Sequence, residues 1–382
     1  MVTDEPPQKV IKRRGLQQTT AEKRRVTVLA VYHSKVVKVF ISNSRFTSSD
    51  IHRSMIKIPK PLIYISVFGT VCGGAYLIKD VLSGKDYKIK TSAANKVIII
   101  TGANTGLGKE AARLLAIKNA TVVMACRDLE KCEKSRVELA LMSRNKRLFC
   151  RKCDLSSQES IRQFATKFQK EFNRLDVLIN NAGVMRCSKS VTKEGIETHL
   201  GVNHMGHFLL TNLLLDCLKK SAPSRIVNVT MLKHGSSKIN KEDLNSELSY
   251  NEEEAYNQSK LANLMFTIKL DEILKDTGVT VNAIYPGICT TDISRHLPFY
   301  NSVTRFFIKP MAWLFLKSAA KGSQTLVHAA LDPELENISG QFISNFKIIP
   351  MPFRARDQKT VEWLWKVSEK WTKVKENVSP EL

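Results

Sequence analysis

The feature that most constrains this chain is an alternation of short apolar runs with helical patterns, beginning near residue 94 and continuing to about residue 290. The runs are rich in Val and Ile and lack polar alternation, which indicates strands buried on both faces. They are KVIIIT (96–101), ATVVMAC (120–126), RLDVLIN (174–180), SRIVNVT (224–230) and GVTVNAIYPG (278–287). Strand and helix in alternation predict an α/β fold with a parallel sheet covered by helices.

The 382 residues carry a formal net charge of +23, which is unevenly distributed. Residues 1–60 hold 13 Lys and Arg against four acids and lack sustained periodicity, so they predict a disordered basic arm or a targeting segment. Met55 is an alternative start, which leaves open whether residues 1–54 belong to the mature protein. A basic surface attracts lipid headgroups, nucleic acid or a phosphorylated cofactor. No nucleic-acid-binding motif accompanies the charge, so we expect no nucleic-acid partner.

Residues 61–78, PLIYISVFGTVCGGAYLI, contain no charged residue and are flanked by lysines. As a helix they span about 27 Å, enough to cross the core of a bilayer. We therefore expect a single membrane-anchor helix in contact with membrane lipid. A buried helix of a soluble protein is the alternative. Gly69 and Gly73 have the small-xxx-small spacing that permits close helix approach, which leaves a homodimer open.

The rest of the chain divides into a polar linker, residues 79–93, the α/β domain, residues 94–350, and a C-terminal segment, residues 351–382. In the last segment Trp363, Val367 and Trp371 recur every four residues, which predicts an amphipathic helix followed by a tail. Docking on the core and a place at the membrane interface are both compatible with this stripe.

The eight cysteines are scattered, and we expect them to be reduced structural thiols without disulfides. Cys150 and Cys153 form the only close pair. Zinc would require a second ligand pair at a suitable spacing, and none is present, so we expect no metal.

A glycine-rich turn follows the first predicted strand directly. It reads TGANTGLG over 101–108, before a helical pattern that begins at Lys109. Gly102, Gly106 and Gly108 allow a tight turn and close backbone approach, so that a pyrophosphate can lie at the N-terminus of the helix. We therefore predict a Rossmann doubly wound sheet that binds a dinucleotide, with Asn104 and Leu107 of the same turn among the contacts.

The end of the second predicted strand indicates which dinucleotide is bound. NAD-specific sites usually place there an acid that binds the ribose hydroxyls, whereas this chain has Arg127 followed by Asp128. A guanidinium can bind a 2′-phosphate through two parallel hydrogen bonds, so we predict NADP(H). In the alternative, Arg127 is a solvated loop charge and Asp128 selects NAD.

Several motifs in this order carry a family resemblance: TGANTGLG, Asn180-Asn181-Ala182-Gly183, Tyr256-x-x-x-Lys260 and Pro286-Gly287. Together they resemble the short-chain dehydrogenase/reductase family. The stretches ACRDLEKCE, INNAGVMRC, GVNHMGHFLLTNLLLD and SAPSRIVNV are similar to its retinol dehydrogenase group. The resemblance implies an NADP-dependent oxidoreductase that interconverts an apolar aldehyde or ketone and its alcohol, as with retinal and retinol. It favours the mitochondrial inner membrane, with the endoplasmic reticulum as the alternative.

The same resemblance assigns Tyr256 as proton donor to the substrate carbonyl. The resemblance also implies that Lys260 holds the nicotinamide ribose and that Asn203 positions a water that relays protons. Tyr256 and Lys260 are four residues apart in a helical pattern, so both side chains reach one face. A free tyrosine has a pKa near 10, and we expect the nearby ammonium to lower it.

Other assignments by resemblance are weaker. Asp154 matches a residue that contacts the adenine, Asn180 opens a segment that supports the central sheet, and Thr291 matches a residue that binds the nicotinamide carboxamide. Asn181 and Pro286 also lie in cofactor-binding motifs. A polar residue near a strand end is as often a cap as a ligand contact.

The sequence departs from the family pattern after the fourth predicted strand. The catalytic serine of the family corresponds to Met231, which has no hydroxyl, and Thr230 before it is expected to point the other way if the strand continues. A catalytically impaired, dinucleotide-binding pseudoenzyme is therefore the alternative function. Downstream, the apolar segment Leu297–Leu316 suits a lid over a lipid-like substrate, a membrane contact, or a helix that packs on the core.

Overall fold

The computed structural model describes residues 59–83, 86–89, 91–231, 237–290, 314 and 316–374. Contacts divide the chain into two units at Gly69, and helix α1, Lys60–Ser83, crosses that division. Within the described residues, α1 is the one helix long and apolar enough to cross a membrane, and its side chains are exposed. It includes the predicted span 61–78 and extends five residues beyond it, so the first part of the predicted linker is helical.

An eight-stranded sheet forms the centre of the second unit. Its strands are β1 Val97–Thr101, β2 Thr121–Cys126, β3 Leu148–Lys152, β4 Val177–Asn180, β5 Ser224–Val229, β6 Val279–Tyr285, β9 Phe342–Ser344 and β10 Lys347–Ile349. They lie in the order β10-β9-β6-β5-β4-β1-β2-β3, and all neighbouring strands are parallel except β9 and β10. A separate parallel pair joins β7, Cys289–Thr290, to β8, Lys317–Ser318.

Helices cover both faces of this sheet. They are α2 Gly106–Ile117, α3 Leu129–Ser143, α4 Gln158–Glu171, α5 Gly206–Lys220, α6 Glu252–Ile273, α7 Ala319–Leu331 and α8 Gln358–Thr372. One core cluster joins α2, α3 and α7 to the first face, and another joins α4, α5 and α6 to the second. Strand β1 contributes Ile98 and Ile100 to one cluster and Ile99 to the other, as expected for a central strand. The predicted Rossmann architecture is therefore confirmed.

The sequence analysis missed three strands of this sheet, β3, β9 and β10. Strand β3 lies at one edge and alternates between buried and exposed positions, so it lacks the continuous apolar run of the central strands. Strands β9 and β10 have three residues each and pair across a tight turn at the other edge. Short edge strands carry little periodicity from which to recognise them.

The expectation that all cysteines are reduced is wrong, because Cys132 and Cys150 form a disulfide. They are 18 positions apart in sequence, but Cys132 of α3 and Cys150 of β3 pack in the same core cluster. Cys153, which the sequence pairs with Cys150, remains a free buried thiol. Topology, and not proximity in the sequence, selects the partner.

Helix α8 docks on the second face of the domain. Its stripe of Trp363, Val367 and Trp371 packs against a core cluster that includes Leu261 and Met265 of α6. The stripe therefore covers the core and is not left free for a membrane interface.

Candidate active site

The glycine turn joins β1 to α2 at the carboxyl edge of the sheet. Gly102 and Gly106 have φ values of +64° and +55°, a region that favours glycine. A Cβ atom at Gly108 would lie 2.4 Å from the carbonyl oxygen of Gly102, so only glycine fits there. The helix begins at Gly106, three residues before the predicted start, and its N-cap residue Thr105 makes no side-chain capping bond. Its first amides are thus available to an anion.

The segment after β4 supports this turn. Asn181 donates from Nδ2 to the Thr101 carbonyl oxygen at 2.8 Å, and its backbone N–H donates to Thr101 Oγ1 at 2.9 Å. Asn181, predicted as a cofactor contact, therefore also holds β1 against β4. On the other side, Ser135 of α3 donates to the Asn104 carbonyl oxygen at 2.9 Å. The turn is thus held by the segment after β4 on one side and by α3 on the other.

Arg127 and Asp128 have different environments at the end of β2. Asp128 is the N-cap of α3 and accepts a hydrogen bond from the Lys131 N–H at 3.1 Å. It also forms an ion pair with the Lys131 side chain. Arg127 is exposed beside it. The carboxylate thus has a structural function, and the guanidinium is the group available to a ligand.

Tyr256 and Lys260 lie one turn apart on α6, as their spacing predicts. The N-cap residue Asn251 starts this helix at the carboxyl edge of the sheet by accepting hydrogen bonds from the N–H groups of Glu253 and Glu254. Lys260 is buried, and its Nζ lies 5.9 Å from the centroid of the Tyr256 ring. The same ammonium donates to the Val229 carbonyl oxygen at 3.2 Å, which links α6 to the end of β5.

The two side chains have perturbed pKa values. Burial lowers the pKa of the Lys260 ammonium from 10.5 to about 8. Burial, together with the neighbouring Tyr285 phenol, raises the pKa of Tyr256 to about 12. The expectation of a lowered tyrosine pKa is therefore wrong, because burial penalises the charged phenolate. Tyr256 is a protonated phenol at neutral pH.

Asn203 lies in a π-helical segment, Gly201–Met205, between a single α-helical turn, Thr198–Leu200, and α5. Its Oδ1 accepts from the Val184 N–H at 2.8 Å. Its Nδ2 donates to the Val184 carbonyl oxygen at 3.0 Å and to Ser259 Oγ at 2.9 Å. The side chain therefore fixes the loop after β4 against α6. The predicted role in positioning a water stays a prediction.

Two buried histidines belong to the polar network around this site, and the sequence analysis did not single them out. His207 contacts Thr101 Oγ1 through Nε2 at 2.9 Å and donates from Nδ1 to the Asn203 carbonyl oxygen at 2.9 Å. Burial lowers the pKa of His207 to about 3, so it is neutral and its Nε2 accepts from Thr101. His199 lies on the other side, with its ring centroid 6.1 Å from that of Tyr256. For His207 the available signal is the repeat of histidine in NHMGH, residues 203–207, directly after Val202.

At the end of β5, the residues that the structure describes, up to Met231, present no free hydroxyl. Thr230 is buried and donates from Oγ1 to the Lys260 carbonyl oxygen at 2.8 Å. Met231 follows it, half-buried. The Thr230 hydroxyl is thus committed to α6 and does not replace the missing serine.

The residues assigned by resemblance alone have different contacts in the structure. Asp154 accepts hydrogen bonds from the backbone and side chain of Ser156, which is a turn contact. Asn180 donates to Asn228 Oδ1 at 2.8 Å and so links β4 to β5, as a support of the sheet would. Pro286 is buried directly after β6. Thr291 and most of Leu297–Leu316 lie outside the described residues.

Comparison with known proteins adds independent information. Residues 96–298 match the short chain dehydrogenase family. Retinol dehydrogenase 13 of Mus musculus is 44% identical over 306 residues, which cover 80% of this chain and 92% of that protein. Retinol dehydrogenase 12 of Homo sapiens is 46% identical over 291 residues, 76% of this chain and 90% of that protein. A solved structure of an uncharacterised Mycobacterium Paratuberculosis protein superposes with a TM-score of 0.59 at 34% identity, covering 74% of this chain and 95% of that one.

Proposed function

The chain belongs to the short-chain dehydrogenase family, and from that premise we propose that it is a membrane-anchored, NADP(H)-dependent oxidoreductase. Its substrate is an apolar aldehyde or ketone, or the corresponding alcohol, of the retinal and retinol type. Two of its relatives are retinol dehydrogenases by name, and 76% or more of the chain aligns with each of them. The names of relatives support the substrate class and leave the particular substrate to experiment.

The residues of the site fit a dinucleotide phosphate. We assign the pyrophosphate to the turn Gly102–Gly108, the 2′-phosphate to Arg127 and the nicotinamide ribose to Lys260. The free amides of α2, the absence of a Cβ atom at Gly102 and Gly108 and the exposed guanidinium of Arg127 support these assignments. When bound, NADPH supplies a hydride to the carbonyl carbon of the substrate.

The pair Tyr256 and Lys260 carries the proposal. In the reductive direction the Tyr256 phenol, protonated at neutral pH, gives its proton to the carbonyl oxygen, so that hydride and proton together yield the alcohol. The Lys260 ammonium, 5.9 Å from the tyrosine ring centroid, stabilises the phenolate left behind. Solvent then returns the proton to Tyr256.

A pseudoenzyme is the second candidate function, and Met231 favours it, because a donor to the substrate oxygen is missing at this position. Loss of one such donor typically costs about 10² to 10³ in rate. A cost of this size lowers the rate without abolishing catalysis, and the proton donor Tyr256 and the cation Lys260 are both present. We therefore favour the enzyme.

The experiment uses the full chain in phospholipid vesicles with NADPH and all-trans-retinal, and quantifies the alcohol formed. Wild-type protein should turn over, and Tyr256→Phe should lower kcat by roughly 10² or more while NADPH affinity is unchanged. Wild-type protein that binds NADPH without forming alcohol would identify a pseudoenzyme. Full activity in Tyr256→Phe would mean that the proton comes from elsewhere.

We further propose the mitochondrial inner membrane as the location, with the endoplasmic reticulum as the alternative. The apolar, exposed helix α1 and the basic residues before it support attachment to an anionic membrane. An anchor of this kind keeps the enzyme where an apolar carbonyl partitions.

A further inference from the structure

A carbonyl oxygen that gains negative charge during reduction is stabilised by hydrogen-bond donors placed around it. Most donors near Tyr256 are already committed. Thr230 Oγ1 donates to the Lys260 carbonyl oxygen, and Ser259 Oγ donates to that of Tyr256, both within 2.8 Å. The Asn203 amide is held by Val184 and Ser259. Among the described residues, a donor to the substrate besides Tyr256 itself therefore has to come from another side chain.

Tyr285, the last residue of β6, presents such a group. Within the described part of the chain, no hydrogen bond joins its hydroxyl to another residue. Its side chain is half-buried and packs against the cluster that contains Leu261 and Met265 of α6. Ala283, two residues earlier on the same face of the strand, belongs to that cluster as well. Tyr285 therefore points to the helix that carries the proton donor.

Strand register places Tyr285 beside Thr230, one residue before Met231, the position that lacks a hydroxyl. Val229 pairs with Ile284, and the Thr230 N–H donates to the Ile284 carbonyl oxygen at 2.8 Å. Thr230 and Tyr285 are thus the next pair, and Met231 follows at the same edge of the sheet. The active-site helix runs above both strand ends, because α6 contributes Lys260 to the end of β5 and Leu261 to the cluster around Tyr285.

The charge state of Tyr285 suits a donor. Burial raises the pKa of its phenol, so the hydroxyl stays protonated at neutral pH. The Tyr285 phenol also contributes to the raised pKa of Tyr256, after burial. The carboxyl edge of the sheet therefore holds two protonated phenols, and one of them has no assigned function.

We propose that Tyr285 is a second catalytic residue, whose hydroxyl donates a hydrogen bond to the substrate carbonyl oxygen while Tyr256 transfers the proton. Tyr285 reaches the oxygen from the β6 side and supplies the interaction that Met231, at the end of β5, cannot make. This inference rests on the proposed reductase activity. The second hydrogen-bond donor to the substrate oxygen then lies at the end of β6, whereas the serine of the family pattern lies after β5.

The test compares Tyr285→Phe with wild type in vesicles containing NADPH and all-trans-retinal. The substitution keeps the ring and its packing and removes only the hydroxyl. We expect kcat and kcat/KM to fall together, by roughly 10² to 10³, with KM and NADPH affinity unchanged. Met231→Ser in the Tyr285→Phe background should recover at least about tenfold, because it returns a donor from the neighbouring strand.

Tyr87→Phe is the matched control. Its hydroxyl donates to Asp332 Oδ2 at 2.7 Å, at the end of α7 and away from α6. This variant should keep kcat/KM within about twofold of wild type.

Three outcomes overturn the proposal. Tyr285→Phe with wild-type kcat/KM, in a protein whose turnover still requires Tyr256, refutes the donor role and leaves the reductase intact. If Tyr285→Phe loses activity because it binds NADPH less tightly, Tyr285 has a structural role and does not donate to the substrate. Wild-type protein that binds NADPH and forms no alcohol refutes the reductase and the donor role together.

Discussion

Gly108→Ala tests whether the close approach of α2 to the glycine turn is what forms the cofactor site. The added Cβ would lie 2.4 Å from the Gly102 carbonyl oxygen and 2.6 Å from Asn181 Nδ2. Neither neighbour can yield freely. The Gly102 oxygen is backbone, and Asn181 Nδ2 already donates to the Thr101 carbonyl oxygen at 2.8 Å.

The loss of stability expected in Gly108→Ala follows from this overlap. Either the N-terminus of α2 moves away from the turn or the Asn181 hydrogen bond breaks, and overpacking of this kind costs about 1 to 3 kcal/mol. For a domain of this size each kcal/mol lowers Tm by about 2 to 4 °C, so we expect a decrease of roughly 2 to 12 °C. A displaced helix no longer aims its amides at the pyrophosphate, so NADPH affinity should fall by at least about tenfold.

Thermal unfolding with and without NADPH, together with a fluorescence titration of the cofactor, measures both effects. Gly74→Ala in α1 is the control, because no atom lies within 4 Å of its added Cβ. If Gly108→Ala keeps the wild-type Tm and NADPH affinity, the turn tolerates a side chain and the assignment of the pyrophosphate to it is refuted.

Three further predictions follow from the remaining features of the structure. Arg127→Asp should weaken NADPH binding at least about tenfold more than NADH binding, because it removes a bidentate partner of the 2′-phosphate and adds repulsion. Lys146→Asp, the same charge change on another exposed loop, should not discriminate between NADPH and NADH. Equal losses of affinity for the two cofactors in Arg127→Asp would contradict the assignment. Burial lowers the pKa of Lys260 from 10.5 to about 8, so the ammonium is present below that pH and kcat/KM for reduction should decrease as pH rises through about 8. A kcat/KM that stays constant up to about pH 10 would show that the ammonium is not required. Deletion of residues 1–79 should release the protein from carbonate-washed membranes, whereas extraction of the full chain by carbonate would rule out a spanning helix.

The central part of the fold was predictable because its signals are local. Five parallel strands were recognisable because they are mostly apolar and lack polar alternation, which is the pattern of a strand buried on both faces. The glycine turn is equally local, since positive φ at Gly102 and Gly106 and the tight contact at Gly108 each require the residue that stands there. The spacing of Tyr256 and Lys260 places them on one face of a helix without reference to the rest of the chain.

Other features depend on which distant segments become neighbours. The Cys132–Cys150 disulfide forms because α3 packs on β3, and the edge strands β3, β9 and β10 are defined by their pairing partners. The raised pKa of Tyr256 could not be inferred from its distance to a lysine in sequence, because burial by the whole domain decides it.

The family resemblance, the parallel sheet, the glycine turn and the pair Tyr256 and Lys260 could be recognised from the sequence alone, because each depends on a periodicity or a motif a few residues long. The remaining features depend on tertiary contacts: Asp128 caps a helix and leaves Arg127 exposed, the Thr230 hydroxyl is committed to α6, and Tyr285, 54 residues after Met231, lies at the same edge of the sheet. The physical reason is that a hydrogen-bond donor acts on whatever is within about 3 Å of it, and the chain brings groups to that distance through strand register and not through sequence order.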